Sequence, residues 1–347
     1  MLRPLMKTAA ITAFVTASFV ASAAAPSSDK LRIHFIDVEG GQATLFVTPE
    51  GQSLLIDTGW MGNNGRDADR IVAAARKEGL SKIDYVLITH YHADHAGGIL
   101  QLVALIPVGT FLDHGPNREF DKGITEKDYA DYQAYLATGK SKVIHEVPGN
   151  VLPVQGMTAT VISADGNLIQ KPLPGAGQTN PACSQAVAPA ADETENGRSL
   201  GIEIRFGKLT FLDLGDLTRD KEYQLMCPVN RLGHIDVLIV SHHGWEQSSS
   251  PIVIDALHPR VAIMDNGEKK GGSTPVLKTI RSAPGLETLW QIHFSDEGGP
   301  ANNTAAEYIA NPQGTDAGHG IDLTASKDGS FDVTNLRTGV TKHYVAK

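Results

Sequence analysis

The feature that most constrains the fold is an apolar segment that runs directly into a cluster of histidines. The segment KIDYVLITH is a continuous apolar run bounded by polar residues, and it predicts a buried strand that ends on His90. His92, Asp94 and His95 follow on the turn YHADH, and a Gly-Gly pair then begins a short helix. The fold must therefore accommodate four clustered polar side chains at the end of a buried strand.

These four side chains are suited to metal binding. Imidazole nitrogens and carboxylate oxygens are ligands that Zn²⁺ accepts readily. On an extended turn His90 and His92 can converge on one ion, and Asp94 and His95 then point towards a second ion close by. The alternative, a solvated histidine-rich surface turn, is poor because the cluster directly follows an apolar strand. The sequence thus predicts a metal site here.

Two later strand ends carry residues of the same kind. LDLGDL places Asp216 after an apolar run, and VSHHGW places His242 and His243 after another. Taken singly, each is equally a capping aspartate or a hydrogen-bonded turn histidine. Together with the first cluster, they predict a metal site at one rim of a sheet structure.

The rest of the chain mixes strands with helices. The predicted strands include KLRIHFIDV, GQATLFVTP, GQSLLIDTG, VGTFLDHG, SLGIEIRFG, KLTFLDLGD, RVAIMDNG and TLWQIHFS, and the predicted helices include RDADRIVAAARKEGL, GGILQLVALIP and TEKDYADYQAYLATG. The last stretch, from residue 320 to 345, alternates like an antiparallel meander. Residues 165–198 lack periodicity and predict either a functional loop or disorder. Helices covering a two-sheet core are the expected layering.

The full chain of 347 residues is 41% hydrophobic and 20% charged, which is ordinary for a globular protein, but its first 25 residues differ from the rest. Arg3 and Lys7 precede an uncharged stretch that closes in ASAAAP, which predicts a signal peptide over residues 1–25 with cleavage preferred after Ala23. An uncleaved anchor is the alternative, but the stretch is short and diluted by Ala, Thr and Ser. We expect an exported protein, periplasmic or secreted, without a membrane span in the mature chain.

Charge and cysteine content limit the partners. The formal net charge is −9, and the longest basic run is EKK, so the basic footprint of a protein that holds long nucleic acid is missing. Small phosphoesters remain compatible with this charge. Cys183 and Cys227 are either a disulfide, as an oxidising compartment allows, or two inert thiols. The sequence leaves the oligomeric state open.

HYHADH, with LLIDTG upstream and GD and HHG downstream, resembles the metallo-β-lactamase-fold superfamily. FIDVEGGQATLFVTPEGQSLLIDTG, RSLGIEIRFGKLTFLDLGD and VLIVSHHGWEQSS further resemble the hydrolase domain of DNA-internalisation competence proteins. The resemblance implies an α+β fold, a four-layer αββα sandwich with a C-terminal β meander. It places a hydrolase domain at residues 26–300 and a β-rich extension, packed on the same domain, at residues 301–347.

The resemblance also implies a metal site at the edge where the sheets meet, usually with two zinc ions, although Mn²⁺ or Fe²⁺ are alternatives. The implied ligands are His90 and His92 for the first metal, Asp94 and His95 for the second, Asp216 between them, and either His242 or His243 completing the second. Asp57 in LIDTG matches a buried aspartate of the superfamily, and its implied role is to orient the histidine turn by hydrogen bonding.

The chain departs from this pattern at one position. Many superfamily members carry a third histidine for the first metal just before the strand that leads to the bridging aspartate, but here the region reads DETENGRSLG. Glu195 or Asn196 occupies the approximate position. Replacement ligands could also come from His114, which ends a strand next to the His90 strand, or from His293. Each of these residues could equally be a supporting or substrate contact, so one metal or two remains open.

These features favour a metal-dependent hydrolase in which water made into hydroxide by the metals attacks a carbonyl carbon or phosphorus. Asp94, Asp216 and His114 are the predicted catalytic residues, with Asp94 orienting the water and moving its proton. A phosphodiester or related small ester is the predicted substrate. A lactone or β-lactam is the alternative substrate class. A metal-stabilised binding or scaffold protein, using residues 165–198 as its partner surface, is the alternative of another kind.

Overall fold

The computed structural model describes residues 29–120, 123–314 and 317–347. The predicted signal peptide at residues 1–25 lies outside the described residues. Within the described part of the chain, no helix has the length and apolar character that crossing a membrane requires.

The strands of the described residues are short and mostly buried. They are β1 (Leu31–Phe35), β2 (Thr44–Val47), β3 (Ser53–Ile56), β4 (Ile83–Leu87), β5 (Val108–Asp113), β6 (Lys142–His145), β7 (Thr158–Ala164), β8 (Asn167–Leu168), β9 (Gly201–Phe206), β10 (Leu209–Asp213), β11 (Val237–Ile239), β12 (Val261–Met264), β13 (Thr288–His293), β14 (Ile309–Asn311), β15 (Ile321–Ala325), β16 (Phe331–Asn335) and β17 (Thr341–Tyr344).

The α-helices lie between these strands. They are α1 (Arg66–Lys77), α2 (Ala93–Ala96), α3 (Ile99–Leu105), α4 (Ile124–Leu136), α5 (Arg219–Met226), α6 (Pro251–Leu257), α7 (Thr274–Arg281) and α8 (Gly299–Asn302). Short 3-10 helices occur at Asn63–Gly65, Pro181–Ser184, Asn196–Arg198, Ser241–Gly244 and Ala306–Tyr308.

The first sheet has the strand order β17-β16-β15-β1-β2-β3-β4-β5-β6. Strands β1 to β3 pair antiparallel, and β3 to β6 pair parallel because helices cross between them. The C-terminal meander joins this sheet: β15 pairs antiparallel with β1, with Leu31 opposite Ala325. The last three strands therefore extend the first sheet beyond the chain's first strand.

The second sheet has the order β14-β13-β12-β11-β10-β9-β7-β8. The predicted hairpin around Gly207-Lys208 is confirmed, because Leu209 of β10 lies opposite Phe206 of β9. From β10 to β14 the strands are parallel. Parallel strands need crossover connections, and α5, α6 and α7 lie in these connections.

Three apolar clusters define four layers. One fills the space between the sheets and includes Phe46, Phe211 and Trp290. A second joins the outer face of the first sheet to α1, α3 and α4. A third joins the outer face of the second sheet to α5, α6 and α7. This is the expected αββα sandwich, and both outer faces are covered as sheets with parallel strands require.

The segment from residue 165 to 198, which lacks periodicity, contains β8 and two 3-10 helices. A disulfide joins Cys183 in this segment to Cys227 at the end of α5. Of the two possibilities that the sequence left open for these cysteines, the structure has the disulfide.

Candidate metal centre

The turn after β4 is anchored by Asp57, which follows β3 in the same sheet. The backbone N–H of Thr89 donates to Asp57 Oδ1 (2.8 Å), and the Thr89 hydroxyl donates to Asp57 Oδ2 (2.7 Å). His95 Nδ1 lies 2.7 Å from Asp57 Oδ2. Asp57 is fully buried. It therefore makes the contacts that orienting the histidine turn requires, and it leaves His95 Nε2 to face the site.

Four buried residues from three strand ends bring ligand atoms together: Asp94, His95, Asp216 and His243. His95 Nε2 lies 3.3 Å from Asp94 Oδ2 and 3.3 Å from Asp216 Oδ2. His243 Nε2 lies 3.1 Å from Asp94 Oδ2 and 3.2 Å from His95 Nε2. Asp216 Oδ1 is buried and has no hydrogen-bond partner, so a cation fits the donor set. These are the residues that the sequence assigned to the second metal.

A second group of histidines also approaches Asp216 Oδ2. His90 Nε2 is 3.1 Å from His92 Nδ1 and 3.8 Å from Asp216 Oδ2. His242 Nε2 is 3.4 Å from the same Asp216 oxygen. The two adjacent histidines of the HHG motif thus approach different oxygens of Asp216, because His243 Nε2 lies 3.6 Å from Asp216 Oδ1. His243 also lies beside Asp94 and His95.

The backbone explains how both histidines reach the site. His242 and His243 have φ values of 55° and 52°, in the left-handed region that residues other than glycine adopt rarely. His242 N donates to the carbonyl of Gly215, and Gly272 N donates to the carbonyl of His243. Backbone strain of this kind persists where surrounding contacts enforce it and is frequent at functional sites.

Electrostatics favour a cation in the cluster. Burial alone would lower the pKa of His95, but the carboxylates of Asp216, Asp94 and Asp57 raise it well above its ordinary value. Burial would raise the pKa of Asp216, yet the neighbouring histidines, His242 first among them, hold it well below its usual range. The cluster therefore attracts positive charge, which a divalent ion supplies without protonating a ligand nitrogen.

The residues predicted as substitutes for the missing third histidine lie in three places. His114 Nε2 is 3.0 Å from Glu195 Oε2, and its ring packs on Tyr91. Glu195 also accepts hydrogen bonds from the backbone of Tyr91 and Arg118. The Glu195 carboxylate thus contacts His114 and two backbone N–H groups. Because His114 Nε2 faces this carboxylate, the contacts of His114 do not support the catalytic role predicted for it.

The other two substitutes differ from each other. Asn196 Nδ2 lies 3.5 Å from His242 Nε2, so Asn196 borders the site. His293 Nε2 lies 2.7 Å from Asp37 Oδ1 and 3.6 Å from Glu39 Oε1, in a group separate from the four-residue cluster. The structure therefore gives His293 a carboxylate partner of its own and does not bring it to His90 and His92.

Sequence reasoning missed several residues that contact the site, among them Glu119 and Lys270. Glu119 Oε2 lies 3.1 Å from His92 Nε2 and accepts a hydrogen bond from Glu195 N, which directs His92 Nδ1 towards His90. Lys270 contacts Asp94 Oδ2. The only sequence signal for Lys270 was its place in the EKK run, and Glu119 had none, because both reach the site through loop packing.

Residues 37–179 match the Metallo-beta-lactamase superfamily. The chain carries a Metallo-beta-lactamase superfamily domain. Its αββα layers are those that the sequence motifs implied, and the predicted resemblance is confirmed.

Two curated relatives span most of this metallo-β-lactamase-fold chain. Recombination protein 2 of Haemophilus influenzae is 26% identical over 68% of the chain and 24% of its own length. ComE operon protein 3 of Bacillus subtilis is 23% identical over 73% of the chain and 30% of its own length. The chain thus spans less than a third of either relative. The crystal structure of the metallo-β-lactamase-fold protein YhfI from Bacillus subtilis aligns with a TM-score of 0.48 and 14% identity, covering 76% of this chain and 96% of that one.

Proposed function

We propose that the protein is an exported, metal-dependent hydrolase of a phosphodiester or a related small ester, with two zinc ions. The observation that carries this proposal is the convergence of ligand atoms from three strand ends around the Asp216 carboxylate. Such a rim has the nitrogen and carboxylate donors that zinc prefers.

The proposed ligand set assigns one histidine of the HHG motif to each ion. His90 Nε2, His92 Nδ1 and His242 Nε2 would hold the first ion, so His242 would replace the missing third histidine. Asp94, His95 and His243 would hold the second ion, with Asp216 between the two. The second set is supported by the short distances among Asp94, His95 and His243. For the first set the support is that His90 lies 3.1 Å from His92 and that His90 and His242 both approach Asp216 Oδ2. Asp216 Oδ1 has no hydrogen-bond partner, which leaves it available to a cation.

When bound, divalent cations would supply Lewis acidity and would lower the pKa of a water molecule towards neutrality. The chain supplies orientation and proton transfer. Asp94, whose pKa is held well below its usual range by His95 and Lys270 against the opposing effect of burial, stays ionised and is placed to orient the attacking water and accept its proton. Asp57 and Glu119 fix the ring orientations of His95 and His92 through the ring nitrogens that face away from the site.

Two further observations support the proposed substrate class and the proposed cellular location. A net charge of −9 disfavours a long nucleic acid, so we propose a small ester as the substrate. The disulfide between Cys183 and Cys227 agrees with an oxidising compartment, where the N-terminal signal would direct the chain. N-terminal sequencing of protein from the periplasmic fraction tests the proposed export. An uncleaved N-terminus would contradict the proposed signal peptide.

The central experiment combines metal analysis with hydrolysis assays. Purified protein should contain about two zinc ions per chain and hydrolyse bis-p-nitrophenyl phosphate faster than a chromogenic β-lactam or a lactone panel. His92→Ala should contain less metal than the wild type. Its rate of bis-p-nitrophenyl phosphate hydrolysis should fall at least about 100-fold, by analogy with the loss of other catalytic groups. His343→Ala is the matched control, because His343 is exposed and pairs with Asp332 instead.

The outcomes separate the alternatives. Unchanged metal content and activity in His92→Ala would show the site assignment to be wrong. Preferred turnover of the lactone or the β-lactam would establish the acyl-hydrolase alternative. Metal-replete protein that turns over none of these substrates would favour a binding or scaffold protein.

A further inference from the structure

Lys270 places an ammonium group at the candidate metal centre. It lies on the loop between β12 and α7, and its Nζ contacts Asp94 Oδ2 and donates to the carbonyl of Gly40 at 2.5 Å. The same Nζ lies 5.1 Å from the ring centre of Trp60 and 5.3 Å from that of Trp245. The Lys270 side chain is 20% exposed. A cation confined between two aromatic rings is thus accessible from outside next to a proposed metal ligand.

The loop that carries Lys270 is held in place by its neighbours. Gly272 N donates to the carbonyl of His243 (2.8 Å), and Ser273 N donates to that of Gly244 (2.9 Å). On the opposite side, a Cβ on Gly40 would lie only 2.8 Å from the backbone nitrogen of Gly267, so the two loops approach without room for a side chain. Lys270 is therefore positioned by the same turn that presents His243.

The balance of charge at the site indicates a role for the Lys270 ammonium. As the structure stands, Lys270 neutralises Asp94. If Asp94 also bound a divalent cation, its charge would be compensated from two sides, and Lys270 would become a surplus positive charge near the ions. Like charges in a poorly solvated site are costly unless an anion joins them. The arrangement then favours a substrate that carries negative charge beside the bond to be cleaved.

The donor count agrees with this role. A lysine ammonium has three N–H donors. Within the described residues, Asp94 and Gly40 accept two of them. One donor is therefore available to an incoming oxygen, and Trp60 and Trp245 can hold the ammonium by their ring faces without competing for that hydrogen bond.

We propose that Lys270 is the anion-recognition residue of this site and donates to a non-bridging oxygen of a phosphoester bound beside the metals. The inference rests on the proposed function, since it assigns the substrate class of the same site. Trp60 and Trp245 position the ammonium, and Lys270 touches the substrate.

The test measures phosphate binding to the metal-loaded full chain, with inorganic phosphate as the probe. Two of the chain's three tryptophans flank Lys270, whereas Trp290 is buried and donates to Tyr344, so tryptophan fluorescence reports on this site. Lys270→Met should weaken phosphate binding about 10- to 100-fold, the range for losing one hydrogen bond to a charged group. Lys270→Arg should retain part of the affinity.

Lys269→Met is the matched control, because it removes the same charge one residue away from an exposed position and should leave phosphate binding unchanged. Metal content is measured for every variant. For bis-p-nitrophenyl phosphate, Lys270→Met should raise KM, and its inhibition constant for phosphate should rise in parallel.

The inference is overturned if Lys270→Met binds phosphate as the wild type does, or if the wild type binds none. It is also overturned if Lys270→Met loses metal together with phosphate, because Lys270 would then act only through Asp94. Failure of the proposed function looks different: phosphate binding would depend on Lys270 while no ester is turned over. That result would support Lys270 as an anion-binding residue and would contradict the proposed hydrolase activity.

Discussion

Replacing Asp57 with asparagine tests how the histidine turn is oriented. The Asp57 carboxylate faces three potential donors, which are the N–H and hydroxyl of Thr89 and His95 Nδ1. Because a carboxylate only accepts hydrogen bonds, it keeps the His95 proton on Nδ1 and leaves the Nε2 lone pair for the metal. Asparagine has nearly the same shape but turns an NH₂ group towards one of these donors in either orientation.

The size of the effect follows from burial. Asp57 and His95 are both fully buried, so water cannot replace the lost acceptor. An unsatisfied buried polar group costs about 1–3 kcal/mol. Loss of the partner that orients a metal-binding histidine weakens metal affinity about 10- to 100-fold, or ~1.4–2.7 kcal/mol. The two estimates overlap, and we expect Asp57→Asn to weaken binding of the proposed second metal within this range.

The assay is competition for zinc against a chelating dye, with Asp213→Asn as the matched control. Asp213 is also buried at a strand end, but its carboxylate accepts from Gln42 and Gly215. We expect its zinc affinity to stay within about threefold of the wild type, since it contacts no proposed ligand histidine. The reasoning is refuted if Asp57→Asn binds zinc normally, or if both variants lose affinity equally.

Three further predictions concern stability and metal content. Replacing Cys183 and Cys227 with serine should lower the free energy of unfolding, measured by denaturant titration, by about 4 kcal/mol. This is the chain-entropy value for a disulfide with a sequence separation of 44 residues. Any free thiol in denatured, unreduced wild-type protein would contradict the disulfide. Burial raises the pKa of Glu222 from 4.5 to about 7 in the folded protein. Because this is above its unfolded value, the contribution of Glu222 to stability declines as the pH rises from 4.5 to about 7. Glu222→Gln should flatten the dependence of Tm on pH in that range, and an unchanged slope would contradict the prediction. His242→Ala and His243→Ala should each retain about one metal ion by elemental analysis, because the proposed ligand set assigns each residue to a different ion. Loss of both ions from both variants would reject this assignment.

Much of the fold was predictable because its signals are local. Apolar runs of strand length and helical periodicity in RDADRIVAAARKEGL identified β4 and α1, and alternation identified the meander from β15 to β17. The partner of that meander was not predictable from periodicity. Pairing of β15 with β1 joins residues nearly the whole described chain apart, and strand pairing at such separation depends on packing that no local window records.

The candidate site divides in the same way. The sequence by itself determined the donor types and their strand ends, since His90, His92, Asp94 and His95 lie on one turn and each later motif follows its own apolar run. Only the tertiary structure decided that His242 and His243 approach different oxygens of Asp216. The same holds for the pairing of His114 with Glu195 and for the contact of Lys270 with Asp94. The physical reason is that ligand spacing within a turn is set by covalent geometry, whereas contacts between loops are set by how two sheets pack at their shared rim.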